Sequence, residues 1–269
     1  ERRMGPVMKF IVVRLGSMGK RRVRNLIALG GNHIAGLDVR EDRCLEAAEK
    51  YGIKIFLDIE SALKNCRPDA LVISTSPAHH MEYAWMGFEL GLPCSIEASV
   101  VEADRILQLH IISEKSTVLI APSCTMRYFH GPKKVKELLG EGVIGRPLNI
   151  NYQTGQYLPD WHPWEDYRKT YAAVRNMGGG PALTLSHELD LAIWLFGKVN
   201  KVVGMTNYNS NLEIDTEHAI DILISFESGI TGNIHLDYFQ KPPKRSIEIV
   251  GSKGRIEFDY YLNRVILYT

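Results

Sequence analysis

The chain has 269 residues, 45% of them apolar and 23% charged, with a formal net charge of +1. That length holds one large domain or two modest ones, and so neutral a balance gives no global pull toward nucleic acid or an anionic membrane. Every apolar stretch falls short of the roughly 18 residues that a membrane span needs. The run "MKFIVV", followed closely by Arg14, is too short for the core of a signal peptide, and the opening "ERRMGPV" reads as a leader outside the fold.

Taken in chain order, the first 121 residues alternate between strand and helix signals. "KFIVVRL" is a continuous β-rich run suited to a strand covered on both faces. "SMGKRRVRNLIALGG" follows, with Val23, Leu26 and Ile27 at helical spacing and glycines at its end. "NHIAGLDV" predicts a strand, "REDRCLEAAEKYG" a helix closed by Gly52, "IKIFLD" and "IESALKNC" a further pair, and "PDALVIST" another buried strand. "PAHHMEYAWMGFELG", "LPCSIEAS", "VVEADRILQLHIISEK" and "STVLIAP" continue as helix, strand, helix and strand. Such alternation predicts βαβ units on a parallel sheet.

From residue 122 the rhythm changes. "GPKKVKELLGEG" predicts one more helix, "RPLNINYQTGQY" a strand, and "GGGPALTLSHELDLAIWLFG" a single helix running from a glycine turn to Gly197. Strand signals joined by short turns then continue to "RVILYT", which favours antiparallel pairing. The expected architecture is an α/β, Rossmann-type doubly wound parallel sheet over residues 8–121, followed by an α+β domain with a large, mainly antiparallel sheet over 122–269. The strand-rich ending reads as a C-terminally incomplete second domain. Alternation within "HAIDILISFES" and "GITGNIHLDYF" gives its sheet two faces, and an uncovered apolar face predicts a homo-oligomer.

Cys44, Cys66, Cys94 and Cys124 show no C-x-x-C pair and no histidine cluster beside them. This excludes a patterned zinc site or disulfide framework and predicts reduced thiols in a cytoplasmic protein, with no metal.

The stretch "VVRLGSMGKRRVRN" carries the first functional signal. A dinucleotide-binding turn reads G-x-G-x-x-G: one glycine makes the tight turn, one admits the pyrophosphate, and one lets helix and strand pack closely. Gly16 and Gly19 occupy the second and third places, with Ser17 and Met18 between them, while Arg14 stands in the first. Arg14 either distorts the turn or swings its guanidinium outward near phosphate. Asp38 follows Gly19 by 19 residues, at the end of the next strand. It is placed to accept from the ribose hydroxyls, favouring NAD; its alternative is to cap the next helix. Arg40 is positioned to meet a 2′-phosphate instead, leaving NADP open. The cluster Lys20, Arg21, Arg22 and Arg24 reads as a solvated face that a nearby phosphate would help. No interleaved aromatics point to nucleic acid.

The stretches "RLGSMGKRRVRNL", "DALVISTSPAHHMEYAWMGFELGLPCSIEAS", "GEGVIGRP" and "GGGPALTLSHELDLAIWLFG" together resemble the Gfo/Idh/MocA oxidoreductases over nearly all of residues 8–269. The loop "GQYLPDWHPWEDYR" is similar to one subgroup, associated with bacterial gene clusters for nonulosonate or other cell-surface sugars. The resemblance implies an NAD(P)-dependent oxidoreductase acting on CH–OH groups of a sugar or sugar-derived alcohol. It also implies cofactor contacts from Ser74 and Thr75 after the fourth strand and from Glu97 after the fifth. Members usually read Glu-Lys-Pro there; this chain reads Glu97-Ala98-Ser99. Where the subgroup pattern has Asp-Leu-Ser-His, it reads Thr184-Leu185-Ser186-His187.

Alcohol oxidation needs a base for the hydroxyl proton, and histidine titrates near working pH. His187 is therefore the candidate base, with Thr184 three residues before it, on the same helix face, able to hold the ring. Glu188 and Asp190 read as packing or helix-end residues. Ala98 offers no charge to a developing alkoxide, so the alternative to a slowed enzyme is a nucleotide- or ligand-binding protein without turnover. In the loop, Tyr157, Trp161, Trp164 and Tyr167 can stack on sugar C–H faces, and Asp160 and His162 can bond hydroxyls. Arg127 either binds a substrate carboxylate with its fork or makes an ordinary ion pair.

Overall fold

The computed structural model describes residues 7–98 and 101–269. The proposed leader (apart from Val7) and Ser99 of the altered Glu-Lys-Pro motif therefore lie outside the described residues. The chain divides into two compact units after Ser123.

The first unit carries strands β1 (Lys9–Val13), β2 (His33–Leu37), β3 (Lys54–Phe56), β4 (Ala70–Ile73), β5 (Cys94–Glu97) and β6 (Ile120–Ser123). Helices α1 (Ser17–Ala28), α2 (Glu41–Tyr51), α3 (Ile59–Cys66), α4 (His80–Glu89) and α5 (Ala103–Ser113) connect them. The order is β3-β2-β1-β4-β5-β6, all parallel. Strand order reverses between β1 and β4, where open α/β sheets bind ligands at their carboxyl ends. Side chains of β1 alternate between two apolar layers. Ile11 and Val13 join Ala62, Met81, Ala84 and Leu109 of α3, α4 and α5 on one side. Val12 joins Val23, Cys44 and Ala47 of α1 and α2 on the other. Burial on both faces is why these strands read as continuous apolar runs. All four cysteines are free thiols, Cys44 and Cys94 buried.

The second unit carries α6 (His130–Gly140), β7 (Pro147–Gly155), α7 (Pro181–Thr184) and α8 (His187–Phe196). They are followed by β8 (Val199–Asn207), β9 (Ala219–Phe226), β10 (Thr231–Asp237), β11 (Lys244–Gly251), β12 (Arg255–Asp259) and β13 (Arg264–Tyr268). The sheet order is β13-β12-β11-β7-β10-β9-β8. It is antiparallel except where β10 pairs with β7 in parallel, so the expected antiparallel sheet is mixed at its centre.

Register separates the two faces. Gly204, Ile222, Ile234, Tyr152, Ile247, Phe258 and Val265 form one row across the sheet, and this face packs on Val135, Leu138, Leu191 and Ala192 of α6 and α8. The neighbouring row reads Met205, Asp221, His235, Gln153, Ser246, Asp259 and Arg264, and it points the other way. The middle of the uncovered face is thus polar. Its exposed apolar side chains gather at one edge, at Val203, Met205 and Leu223, because alternation leaves the middle strands' outward positions to Asn, Gln, Asp and Glu. The broad apolar face anticipated for oligomerisation is not there. Among the described residues no helix is long and apolar enough to cross a membrane.

The predicted single helix between the glycine turn and Gly197 is two helices. Thr184 ends α7, Leu185 leaves the helical region at φ −100° and ψ 29°, and His187 opens α8. The Thr184 hydroxyl donates back to the Gly180 carbonyl at 2.9 Å, beside the ladder bond that its own N–H makes to the same carbonyl. The ladder resumes with the Asp190 N–H on the Ser186 carbonyl. Thr184 and His187 consequently sit on different helices rather than one face of the same helix.

Candidate functional site

In the first unit, the dinucleotide turn follows β1 directly. Arg14 adopts φ 72°, the left-handed conformation that favours glycine. Its N–H still donates to the Leu37 carbonyl at 2.6 Å, keeping β1 and β2 in step. The turn keeps its course despite the cationic side chain, so the conformation is paid for in strain rather than avoided. Gly16 precedes α1 with φ −65° and no side-chain cap, which leaves the first N–H groups of the helix available to an anion. A Cβ on Gly19 would fall 2.8 Å from the Arg14 carbonyl carbon, which makes Gly19 the close-packing glycine.

Asp38 lies beside this turn and is 1% exposed. Its Oδ2 accepts the Leu15 N–H at 2.7 Å and its Oδ1 the Arg40 N–H at 3.0 Å. Arg14 and Arg43 approach its two oxygens at 3.5 and 3.9 Å. The carboxylate therefore binds the turn rather than capping α2, whose N-cap residue is Arg40. The Arg40 guanidinium goes to Asp42.

On the far side of the turn, the Ser74 N–H donates to the Val13 carbonyl at 2.9 Å and joins the ends of β1 and β4. The Ser74 and Thr75 hydroxyls are buried with no hydrogen-bond partner. Buried hydroxyls are costly when unpaired, and two of them beside an uncapped helix start and a glycine turn fit the polar edge of a bound dinucleotide. Met18 is 36% exposed on the first turn of α1. Glu97 pairs instead with Arg22 at 2.5 Å, and Arg22 also reaches the Ser123 hydroxyl. The basic run of α1 is largely engaged in this way: Lys20 holds Glu46 and Arg24 bonds the Tyr51 hydroxyl. Arg21 and Arg24 are nonetheless exposed, so the run is in part the solvated face its composition indicated.

In the second unit, the glycine turn 178–180 enters α7 through Pro181. The Thr184 hydroxyl also meets the Tyr238 hydroxyl. Because the single Thr184 proton goes to Gly180, Tyr238 must donate in that pair. Burial pushes the Tyr238 phenol well above its ordinary value, so it stays a neutral donor. Glu217, buried, accepts the Ala182 N–H at 3.2 Å. His187 stands at the first position of α8.

The neighbouring Glu188 is buried and takes Arg245 at 2.7 Å and the Thr154 hydroxyl at 2.9 Å on one oxygen. Asp190 receives the whole fork of Arg127, so this arginine is committed to an ion pair rather than open to a carboxylate. That pairing holds the Arg127 guanidinium above its usual value.

The aromatic loop is partly tied down. Trp161 packs edge-on against Tyr238, with ring centroids 5.4 Å apart. The His162 ring lies tilted beside that of Trp164, itself 77% exposed. Lys241 sits 3.4 Å over the Tyr157 ring. The Tyr167 hydroxyl accepts the Glu213 N–H, and Asp160 is exposed. Tyr238, Glu217 and Arg43 were missed from sequence, where nothing local distinguishes them.

Residues 8–109 match a model described as an oxidoreductase family with an NAD-binding Rossmann fold. Residues 133–257 match the GFO/IDH/MocA C-terminal domain. The myo-inositol 2-dehydrogenase of Thermotoga maritima is 26% identical over 283 residues, covering 97% of this chain and 78% of the relative. Among solved structures, the WlbA dehydrogenase from Bordetella pertussis, in complex with NADH and UDP-GlcNAcA, superposes with a TM-score of 0.86 at 20% identity. It covers 97% of this chain and 80% of its own. Myo-inositol 2-dehydrogenase from Lactobacillus plantarum gives 0.82 at 15% identity, covering 97% and 82%.

Proposed function

The chain belongs to the Gfo/Idh/MocA oxidoreductase family, and from that premise we propose that it transfers a hydride between NAD and a hydroxyl-bearing carbon of a sugar or sugar-derived alcohol, in the manner of the subgroup its aromatic loop resembles. The observation that carries the reading is the cradle in the first unit: an uncapped helix start at Gly16, with the unpartnered Ser74 and Thr75 hydroxyls beside it. The nicotinamide, when bound, supplies the hydride acceptor or donor. Gly16, Ser17, Met18 and Gly19 present backbone to the pyrophosphate, and Ser74 and Thr75 offer hydroxyls.

His187 takes the proton of the reacting hydroxyl, a role worth about 10² to 10⁴ in rate. Thr184 serves that reaction indirectly, by clamping the glycine turn between Gly180 and Tyr238. Trp161 and Trp164 stack on the sugar, and Asp160 and His162 bond its hydroxyls. With Ala98 where members carry lysine, no cation on that loop steadies a developing alkoxide, so turnover is slow. A second reading, a protein that binds the dinucleotide without turnover, is favoured by that same alanine and by a Thr184 whose one proton is already spent. The protein works in the cytoplasm, as its free thiols suit, and as a homo-oligomer through the edge of the second unit's sheet, where Val203, Met205 and Leu223 are exposed.

Calorimetric titration with NADH, followed by a turnover screen over free and nucleotide-linked sugars, tests the proposal. NADH binding with turnover that His187→Ala abolishes supports the enzyme. Binding with no turnover across the screen moves the conclusion to the second reading. Absence of NADH binding to folded protein overturns both.

A further inference from the structure

We propose that the first unit holds a ligand seat outside the dinucleotide turn: a cavity under α5 that takes a single-ring apolar molecule bearing a hydrogen-bond donor, of which phenol is the simplest. The cavity measures about 220 Å³, and its walls are Met81 of α4, Ile96 of β5, Ile106 and Leu109 of α5, and Ile120 of β6. The residues of the glycine turn, and Ser74 and Thr75, do not line it, so the seat is independent of the cofactor reading above.

Loose packing keeps the space open. Helix α5 buries one side chain, Leu109, and leaves Leu107 and Ile111 at least half exposed, so it covers the sheet incompletely. Protein interiors are otherwise close-packed, and a dry apolar cavity of about 150 Å³ already admits benzene. One aromatic ring with a small substituent therefore fits. His110 and Pro122, both exposed, also line the cavity and mark the way in.

The substituent is set by His80, which lines the cavity and is 3% exposed. Its Nε2 stands 3.0 Å from the Thr75 carbonyl. A carbonyl only accepts, so Nε2 carries the proton. Burial pushes the imidazole below its ordinary value, so the ring is neutral and its Nδ1 is an acceptor. That nitrogen is buried without a hydrogen-bond partner, a costly arrangement that a ligand O–H relieves. Charge narrows the class further. Among the described residues no lysine or arginine lines the cavity, and Glu97, its one carboxylate, takes Arg22 from outside the lining at 2.5 Å. An entering anion would lose its water beside Glu97 with no cation to meet it, so a neutral phenol is accepted and a carboxylate of the same size is refused.

Calorimetric titration of the whole chain with phenol and with benzoate, joined to nitrogen NMR of its histidines, tests the seat. Phenol should bind and move the Nδ1 resonance of His80, which is assigned by its loss in His80→Gln. Benzoate should bind at least about tenfold more weakly than phenol, a difference of about 1.4 kcal/mol. Ile106→Trp, at a half-buried wall position, should weaken phenol by about tenfold or more in a protein whose melting curve shows it folded. Should that variant not fold, the wild-type titrations and spectra decide alone. Phenol that does not bind, that leaves Nδ1 of His80 unmoved, or that binds folded Ile106→Trp as tightly as wild type overturns the seat. Benzoate that binds within tenfold of phenol overturns it too.

Discussion

Replacing each glycine of the cofactor turn by alanine should separate packing from ligand approach. A Cβ at Gly19 would lie 2.8 Å from the Arg14 carbonyl carbon and closer still to its oxygen. The obstacle is backbone, held by the Arg14 N–H on the Leu37 carbonyl, so it cannot rotate away as a side chain would. Relief requires moving α1 from β1 by more than about an ångström, through a close-packed layer that includes Val12, Val23 and Val72. Overpacking of this kind costs about 1–3 kcal/mol, and backbone as the obstacle puts it at the upper end. Alanine's helix preference over glycine returns about 1 kcal/mol. Gly19→Ala should therefore lose about 2 kcal/mol in urea unfolding.

At Gly16, by contrast, the nearest atom to an added Cβ is the mobile Nη1 of Arg43 at 3.4 Å, and φ is an ordinary −65°. Gly16→Ala should stay within about 0.5 kcal/mol of wild type while binding NADH more weakly, because the methyl occupies the surface the pyrophosphate approaches. A Gly19→Ala protein as stable as wild type would refute the packing argument. A Gly16→Ala protein with undiminished NADH affinity would refute the approach argument.

Three further outcomes follow from other contacts. Arg14→Gly should be more stable than Arg14→Ala by about 1 kcal/mol in chemical denaturation, because both lose the ion pair with Asp38 but only alanine keeps the left-handed strain; equal stabilities would mean the strain is absent. His235, held first by Asp237 and also by Asp221, has its imidazole pushed up to about 9. A raised folded value stabilises fully below the unfolded value of about 6.5 and is lost as pH rises through about 9. Unfolding free energy should then fall between pH 7 and 9.5 by an amount on the order of 1–3 kcal/mol in wild type and by much less in His235→Gln; parallel profiles would contradict the charged cluster. Arg245→Met leaves Glu188 charged and buried without its cation, and should cost about 3 kcal/mol, whereas Arg245→Met with Glu188→Gln should recover part of it.

Much of the first unit was legible because its signals are local. A strand buried on both faces, a glycine turn and an amphipathic helix occupy fewer than twenty consecutive residues each, and repeating them leaves little topological choice. Gly16, Gly19 and Asp38 could be picked out because the spacing between strand ends sets where a turn and the next acid fall. The open contest at Arg14 and Asp38 could not be decided there. Arg43 enters it from a helix beyond the carboxylate, and only the folded chain brings this second cation to within 3.9 Å of Asp38.

The second unit was less legible because its chemistry is made by long closures. Tyr238 reaches Thr184 across 54 positions, Arg245 reaches Glu188 across 57, and Arg127 reaches Asp190 across 63. The parallel pairing of β10 with β7 brings Thr231 beside Asn149, 82 positions away. Alternation along β9 and β10 told which residues share a face, since side chains have a period of two. Which face the helices would cover, and that polar residues would line the other, depended on the neighbours each strand acquired. The break after Thr184 was not legible either: the residues from Pro181 to Phe196 are locally fit for one helix, yet Leu185 leaves the helical region where the Thr184 hydroxyl meets Tyr238 from a distant strand. Local propensity thus determined the elements and the turn that announces the cofactor, while partners distant in the chain decided what each charged or hydroxyl group is free to do, because a side chain's hydrogen-bonding capacity is finite and is spent on whatever folding brings within reach.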